Sequence, residues 1–145
     1  TARRYLGAAV SGRRIFLIGG EYNATALRTN EIFFPDQARN PQAAWQTGVP
    51  LPEAMYGMGV TSVADIIYIV GGAGSEARQY GVLAYDQTQG WRSIQEQPGE
   101  RAAFLGVTSL STYLYALGGQ VGSLPSGSCY SYQAVYTLSL PLIVK

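Results

Sequence analysis

Three apolar runs of strand length recur along the chain, and each ends in a pair of glycines. The runs with their glycines cover residues 14–20, 66–72 and 113–119, so the first glycines are 52 and 47 residues apart. Three positions before the first glycine stands an aromatic residue: Phe16, Tyr68 and Tyr115. Twelve positions before it stands another glycine: Gly7, Gly59 and Gly106. A period near 50 residues is typical of one supersecondary unit that is copied along the chain, as in propellers.

Turn signals divide each unit into four short strands, and no stretch has helical periodicity. The first strand is rich in small residues and is predicted at 6–12, 57–63 and 105–110. The second is the apolar run before the glycine pair, which reads as buried on both faces. The third is predicted at 30–36, 81–87 and 128–134, and the fourth opens with Trp45, Trp91 and Tyr136. The pattern therefore predicts an all-β fold.

The repeated glycines and aromatics have a mechanical interpretation. Small side chains on the first strand suit the crowded place where neighbouring units converge. In each pair, the first glycine is expected to let strands approach closely, and the second to let the chain leave the strand with a positive φ. The aromatic residues are expected to fill the wedge between adjacent units.

The order Gly-Gly, Tyr-Asp and then Trp six residues after the Tyr resembles the kelch repeat. Unit two matches best, with Tyr85-Asp86 followed by Trp91. Units one and three look like looser copies, in which Phe34 and Tyr132 take the place of that tyrosine. The resemblance covers essentially the whole chain. It implies a kelch-type β-propeller with three four-stranded antiparallel blades, at about 4–52, 53–98 and 99–145.

Three blades are too few for a ring, because propellers usually have about four to eight. The simplest closure is a second copy, so the chain itself is a predicted partner: a homodimer would make six blades. The rival interpretation is a fragment of a longer propeller, and the chain begins at Thr1 rather than Met.

The amino-acid composition also favours a second copy of the chain as the partner. Hydrophobic residues make up 47% of the chain and charged residues only 13%, which suggests surface buried against another copy. The formal net charge of +1 argues against nucleic acid and against an anionic membrane as partners. Apolar stretches are of strand length only, so no transmembrane helix is predicted.

Few residues suit metal or nucleophilic chemistry. The chain has no histidine and a single cysteine, so we predict no metal site, no cofactor and no histidine-based triad. Cys129, on the third strand of blade 3, is expected to be a small core residue. Five arginines of blade 1 are expected at solvated positions: Arg3, Arg4, Arg13, Arg14 and Arg28.

Ligands of kelch-like propellers usually meet the face formed by the loops between strands two and three and between blades. Loops on a rigid scaffold concentrate binding residues, and Arg and Tyr are favoured in hot spots. The predicted binding residues are Glu21, Tyr22, Arg28, Glu53, Tyr56, Arg78, Tyr80, Glu100 and Arg101. In a dimer, Arg78 and Arg101 would together present four guanidinium groups to an acidic peptide or sugar acid.

Three functions stay open at this point. The first is a binding or scaffold module for a protein or peptide at the loop face. The second is an enzyme, and the resemblance suggests a sugar mutarotase or isomerase of the sialic-acid type. It would use Glu21, Glu53, Glu76 or Glu100 as acid and base, while Arg78 or Arg101 holds the substrate. The third is an assembly-only half-propeller with no ligand.

Overall fold

The computed structural model describes residues 2–74, 81–95 and 101–134. The strands are β1 (Gly7–Ser11), β2 (Arg14–Ile18), β3 (Glu21–Tyr22), β4 (Thr25–Ala26), β5 (Asn30–Phe33), β6 (Trp45–Thr47), β7 (Gly59–Val63), β8 (Ile66–Val70), β9 (Val82–Asp86), β10 (Gly90–Gln95), β11 (Gly106–Leu110), β12 (Tyr113–Leu117), β13 (Gln120–Val121), β14 (Leu124–Pro125) and β15 (Cys129–Gln133). The predicted all-β repeat is therefore confirmed.

Each unit folds as one antiparallel sheet, here called a blade. Blade 1 has the order β1-β2-β5-β6, blade 2 the order β7-β8-β9-β10, and blade 3 the described order β11-β12-β15. The fourth strand predicted from Tyr136 lies outside the described residues. Two short hairpins, β3-β4 and β13-β14, follow the glycine pairs of blades 1 and 3, and a 3-10 helix covers Pro35–Gln37. No helix in the described ranges is long and apolar enough to cross a bilayer.

Close approach of the inner strands explains the small residues of the first strand. A Cβ placed on Gly7 of blade 1 would lie 2.1 Å from Cγ2 of Val60 in blade 2. A Cβ on Gly59 of blade 2 would lie 2.1 Å from Cγ2 of Val107 in blade 3. Any larger residue would push the blades apart, since protein interiors are close-packed.

The hydrophobic core lies between blades rather than inside one of them. The first cluster joins blades 1 and 2, and there the rings of Phe16 and Tyr85 have centroids 5.8 Å apart. The second joins blades 2 and 3, and the buried Tyr68 donates its hydroxyl to the carbonyl of Ala134 at 3.2 Å. The prediction that aromatics fill the wedge between blades is confirmed at these two interfaces.

The glycine pairs differ from the prediction in one respect, because both members adopt positive φ. Gly19 has φ 59° and Gly20 has φ 104°, and the other two pairs repeat these values closely. The first glycine also receives the next blade: a Cβ on Gly71 would lie 2.2 Å from the carbonyl oxygen of Ala102. The amide of the second glycine donates a hydrogen bond across the same interface between blades, here called a seam: Gly72 N donates to Ala102 O at 2.9 Å.

The register of β5 corrects one assignment of the repeat. Phe33 pairs with Ile15, as Tyr85 pairs with the equivalent Ile67, so Phe33 rather than Phe34 occupies the tyrosine position. The ring of Phe33 lies 4.8 Å from that of Trp45, which matches the 4.8 Å between Tyr85 and Trp91.

Arg3 is not the solvated residue that was expected. Its side chain is 1% exposed, and it donates to Oε2 of Glu31 at 2.5 Å and to the carbonyl of Leu17 at 3.0 Å. A guanidinium can be buried in this way because a carboxylate and a carbonyl replace its lost hydration. Arg3 therefore ties the segment before β1 to strands β2 and β5.

Cys129 is likewise not a core residue, because it is exposed and carries a free thiol. It pairs with Leu117 on β12, as Val82 pairs with Val70 in blade 2. Val82 is buried because blade 3 lies beyond it, whereas no described residue covers the corresponding side of blade 3, where Cys129 and Leu117 are exposed.

Asp86, the second residue of the Tyr-Asp step, closes the turn between β9 and β10. Its Oδ1 accepts from the hydroxyl of Thr88 at 2.6 Å, from the amide of Thr88 at 2.8 Å and from the amide of Gln89 at 2.7 Å. The Thr88 hydroxyl first, and then the Gln89 amide, lower the pKa of the Asp86 carboxyl.

The lowered pKa of Asp86 predicts a pH-dependent contribution to stability. The contribution is present above the unfolded value of about 3.9 and is lost as pH falls through the lower folded value. Urea unfolding of the wild type and of Asp86→Asn over a pH series should therefore give free energies of unfolding that converge in acid. A difference that stays constant with pH would contradict this assignment.

Candidate functional site

Residues just before the first strand of each blade form a repeated motif at the loop face. Isolated bridges join Arg4 to Glu21 in blade 1, Tyr56 to Ala73 in blade 2 and Ala103 to Gln120 in blade 3. Each bridge ties the segment that enters a blade to the residue that follows its glycine pair. We call residues 4–5, 56–57 and 103–104 the inner rim.

The inner rim is continuous from blade to blade through its main chain. Gly57 N donates to Tyr5 O at 2.8 Å, and Phe104 N donates to Gly57 O at 2.6 Å. These three equivalent residues share a left-handed conformation, with φ of 57° for Tyr5, 63° for Gly57 and 56° for Phe104. Glycine adopts this conformation without strain, whereas it costs other residues roughly 1–2 kcal/mol.

Three aromatic side chains of the inner rim touch one another and form an aromatic cluster of Tyr5, Tyr56 and Phe104. The ring centroids are 5.3 Å apart for Tyr5 and Phe104, 6.2 Å for Tyr5 and Tyr56, and 6.1 Å for Tyr56 and Phe104. Tyr5 and Phe104 are each 47% exposed, and Tyr56 is half-buried. Exposed bulky aromatics with positive φ are uncommon, and strain of this kind is concentrated at functional sites.

A charged pair borders the aromatic cluster. Arg4 donates from Nε at 2.9 Å and from Nη2 at 2.6 Å to Oε1 of Glu21, while its guanidinium carbon lies 4.9 Å from the ring centre of Tyr5. The Arg4 side chain is 65% exposed and that of Glu21 only 9%. The hydrogen bond with Glu21 raises the pKa of the Arg4 guanidinium, so Arg4 stays charged. The pair offers solvent a cation beside an aromatic surface.

Six of the nine predicted binding residues lie in the described part of the chain. Tyr22 and Arg28 are exposed, Tyr56 and Arg101 are half-buried, and Glu21 and Glu53 are buried. Arg78, Tyr80 and Glu100 lie outside the described residues, as does Glu76. The geometry therefore brings Tyr56 and Glu21 to the inner rim, and it leaves the predicted group of four guanidiniums a prediction.

Arg28 is exposed, and its side chain also makes a hydrogen bond within the protein. Its Nε donates to the carbonyl of Leu51 at 2.7 Å, and Leu51 N donates back to Arg28 O at 2.9 Å. The two bonds hold the loop after β4 against the connection that leads into blade 2. Arg28 thus shapes the loop face as well as lining it.

Tyr5 and Phe104, two of the three aromatics in the cluster, were not among the predicted residues. The repeat contains a signal for them: Gly57 stands at the equivalent position of blade 2. A glycine that alternates with aromatics at one repeat position indicates a left-handed backbone that tyrosine and phenylalanine must also adopt. The sequence indicates a left-handed backbone at Tyr5 and Phe104 only when they are compared with Gly57 of blade 2.

Described residues form two pockets, one next to the inner rim of blade 3 and one far from the inner rim. One, of about 340 Å³, is bounded by the β13-β14 hairpin and Tyr130, and the other, of about 230 Å³, lies between Arg14 and Phe34 at the opposite end of blade 1. Across the described ranges, no three acidic or cysteine side chains cluster closely enough to hold a metal ion.

Comparison with known proteins supports a propeller-like fold. The chain is 31% identical over 87 residues to beta-scruin of Limulus polyphemus, an alignment that covers 58% of this chain and 9% of that protein. A solved structure of YjhT superimposes with a TM-score of 0.72 at 13% identity, over 88% of this chain and 42% of that one. No family model matches the chain. The two similarities suggest the kelch family, and the chain spans less than half the length of either protein.

Proposed function

We propose that this chain is a binding module that recognises a protein or peptide segment at the loop face of a kelch-like propeller. The observation that carries the proposal is the aromatic cluster, in which Tyr5 and Phe104 are held exposed with positive φ. Large aromatic surface beside the exposed Arg4 guanidinium is the composition of a binding hot spot.

Two of the carboxylates considered for acid–base chemistry are buried. Glu21 is held by Arg4, and Glu53 is 3% exposed. A general acid or base must reach its substrate directly or through one water. Of the four glutamates considered for an enzyme, these two therefore do not face a ligand in this conformation.

The ring to which the site belongs is part of the proposal. Two copies that each supply three blades would close a six-bladed homodimer, within the usual range of about four to eight blades. The loop faces of both copies would then lie on one side of the ring. This arrangement follows from closed cyclic symmetry, which most homo-oligomers adopt.

Replacing Tyr5 with glycine tests the binding function, because it removes an exposed ring without a backbone conflict. Relief of left-handed strain, roughly 1–2 kcal/mol, is offset by lost ring contacts and by the greater chain entropy of glycine. We expect the free energy of unfolding to change by less than about 1 kcal/mol. Peptides from a random phage-displayed library that enrich on the wild type should lose binding to Tyr5→Gly.

The matched control is Arg13→Gly, which makes the same replacement at another exposed residue with a left-handed backbone, φ 61°, in the β1-β2 turn at the opposite end of blade 1. This variant should keep the peptides. Equal binding to Tyr5→Gly, or no enrichment on the wild type, would overturn the proposed function in favour of the enzyme or the assembly-only alternative.

A further inference from the structure

Blade 3 leaves open the side that blades 1 and 2 bury. At one repeat position, Ile18 of blade 1 is 0% exposed and Val70 of blade 2 is 6% exposed, but Leu117 of blade 3 is 46% exposed. The sequence at this position is aliphatic in all three blades. The difference comes from the next blade, which covers Ile18 and Val70, whereas no blade among the described residues lies beside Leu117.

The glycines of the first strands show the same difference between blade 3 and the other two blades, here in the space around each glycine. Gly7 and Gly59 lie against Val60 and Val107 of the following blades, with no room for a side chain. Around Gly106, the described residues come no nearer to an added Cβ than 3.8 Å, the distance to the Leu117 carbonyl oxygen. Gly106 therefore has no side chain at the position where a following blade would pack closely, as Gly7 and Gly59 do.

The free side of blade 1 carries the matching half of that interface. Ala8 is exposed, and it occupies the position that Val60 and Val107 occupy where they pack against the preceding blade. Trp45 is 46% exposed next to Phe33, although the equivalent Trp91 donates its ring N–H to the carbonyl of Val49 in blade 1 at 3.0 Å. Blade 1 thus presents the surface that blades 2 and 3 use at their own seams.

Main-chain groups at the two ends are also complementary. At the seam of blades 1 and 2, Gly20 N donates to Met55 O at 2.8 Å. The equivalent donor of blade 3 is Gly119 N, and the described residues offer it no backbone acceptor. The repeat position of Met55 in blade 1 is Arg3, whose carbonyl would be the acceptor in a following blade.

The inner rim can continue across the same seam. Tyr5 O and Gly57 O each accept from the equivalent residue of the next blade. By the same step, Phe104 O would accept from Tyr5 N of a following blade 1. The exposed apolar sides, the small glycine and the main-chain groups all match a blade 1 surface in one orientation, and a second copy of the chain presents that surface.

We infer that blade 3 docks head-to-tail on blade 1 of a second copy, with Gly106 against the second copy's Ala8 and Gly119 N bonded to its Arg3 carbonyl. The interface continues the two blade seams already present in the chain. Two such contacts close the ring about a two-fold axis. The inference rests on the proposed function for one consequence: the aromatic clusters of both copies face one shared opening, and a ligand site there is incomplete in a single copy.

Gly106→Leu tests the interface without needing a ligand. Its side chain has open space among the described residues of one chain, and its φ is not in the left-handed region, so the monomer should keep its fold. Light scattering of the wild type should give twice the 15.6 kDa of one chain, and Gly106→Leu should give half of the wild-type mass. Ala8→Trp, on the other side of the seam, should have the same effect.

Ser93→Leu adds the same side chain to an exposed position on the outer strand β10, so it should stay dimeric. Circular dichroism should show equal β-structure in all four proteins. A wild-type mass of one chain at every concentration, a mass above two chains, or a dimeric Gly106→Leu would each overturn the inference. Peptide binding by a monomeric wild type would overturn the shared site and leave the proposed function standing.

Discussion

Replacing Gly71 with alanine is expected to lower the free energy of unfolding by about 2–4 kcal/mol. Two costs add at this position. Gly71 has φ 65°, which penalises a residue with a Cβ, and that Cβ would lie 2.2 Å from Ala102 O and 2.6 Å from Cδ2 of Leu105. The carbonyl belongs to the backbone of blade 3 and accepts from Gly72 N, so it cannot move aside without loss of that bond.

Gly90→Ala separates the two costs. Gly90 has φ 74° and no described atom within 4 Å of an added Cβ, so only the conformational cost of about 1 kcal/mol applies. Urea unfolding of both variants should be measured at one protein concentration, because association adds to apparent stability. If Gly71→Ala is no more destabilising than Gly90→Ala, blades 2 and 3 do not pack through this glycine.

Replacing Phe16 with alanine is expected to lower the free energy of unfolding by about 3–5 kcal/mol. Phe16 is 1% exposed and lies in the cluster between blades 1 and 2, where it meets the ring of Tyr85. Truncation leaves a cavity that neighbours on two separate sheets must fill, and close-packed sheets relax only partly.

Tyr22→Ala provides the comparison for Phe16→Ala in the same unfolding experiment. Tyr22 is 53% exposed on the short strand β3, so its truncation should change the free energy of unfolding by less than about 1 kcal/mol. Similar losses for Phe16→Ala and Tyr22→Ala would mean that the interface of blades 1 and 2 contributes little to stability.

Unfolding, mass and peptide binding are independent measurements, so the proposals can fail separately. The glycine and phenylalanine variants test the packing of blades within one chain. The mass of Gly106→Leu tests the seam between chains, and Tyr5→Gly tests the loop face. The last two variants change different surfaces, because Gly106 is the first residue of strand β11 and Tyr5 lies on the inner rim.

The repeat in the sequence determined the strand architecture. Apolar runs with their aromatic and paired glycines predicted β2, β8 and β12, and their periodicity alone placed the glycine strands β1, β7 and β11 before them. These elements are predictable because the same local pattern serves the same contact between blades each time. Register and loop structure were less accessible: Phe34 was assigned where Phe33 pairs with Ile15, and the β3-β4 and β13-β14 hairpins were not predicted.

Side-chain environment depended on contacts between residues far apart in the chain. The sequence predicts that Arg3 is a solvated charge, yet its side chain is buried because Glu31, 28 residues away, accepts a hydrogen bond from it. Glu21 was selected for its carboxylate, and Arg4 holds that carboxylate at the edge of the aromatic cluster. Burial of a charge is decided by its partner, and pattern rules do not identify partners that are distant in sequence.

Exposure likewise depended on which blade follows. Cys129 and Leu117 occupy positions that are buried in blade 2, so composition and repeat position alone predict a core for them. The sequence by itself determined the repeated unit, its strands and the glycines that let units approach, because those follow from local periodicity and backbone conformation. Only the tertiary structure decided which apolar side stays open and which aromatics meet at the inner rim, because both depend on the stacking of one blade upon the next.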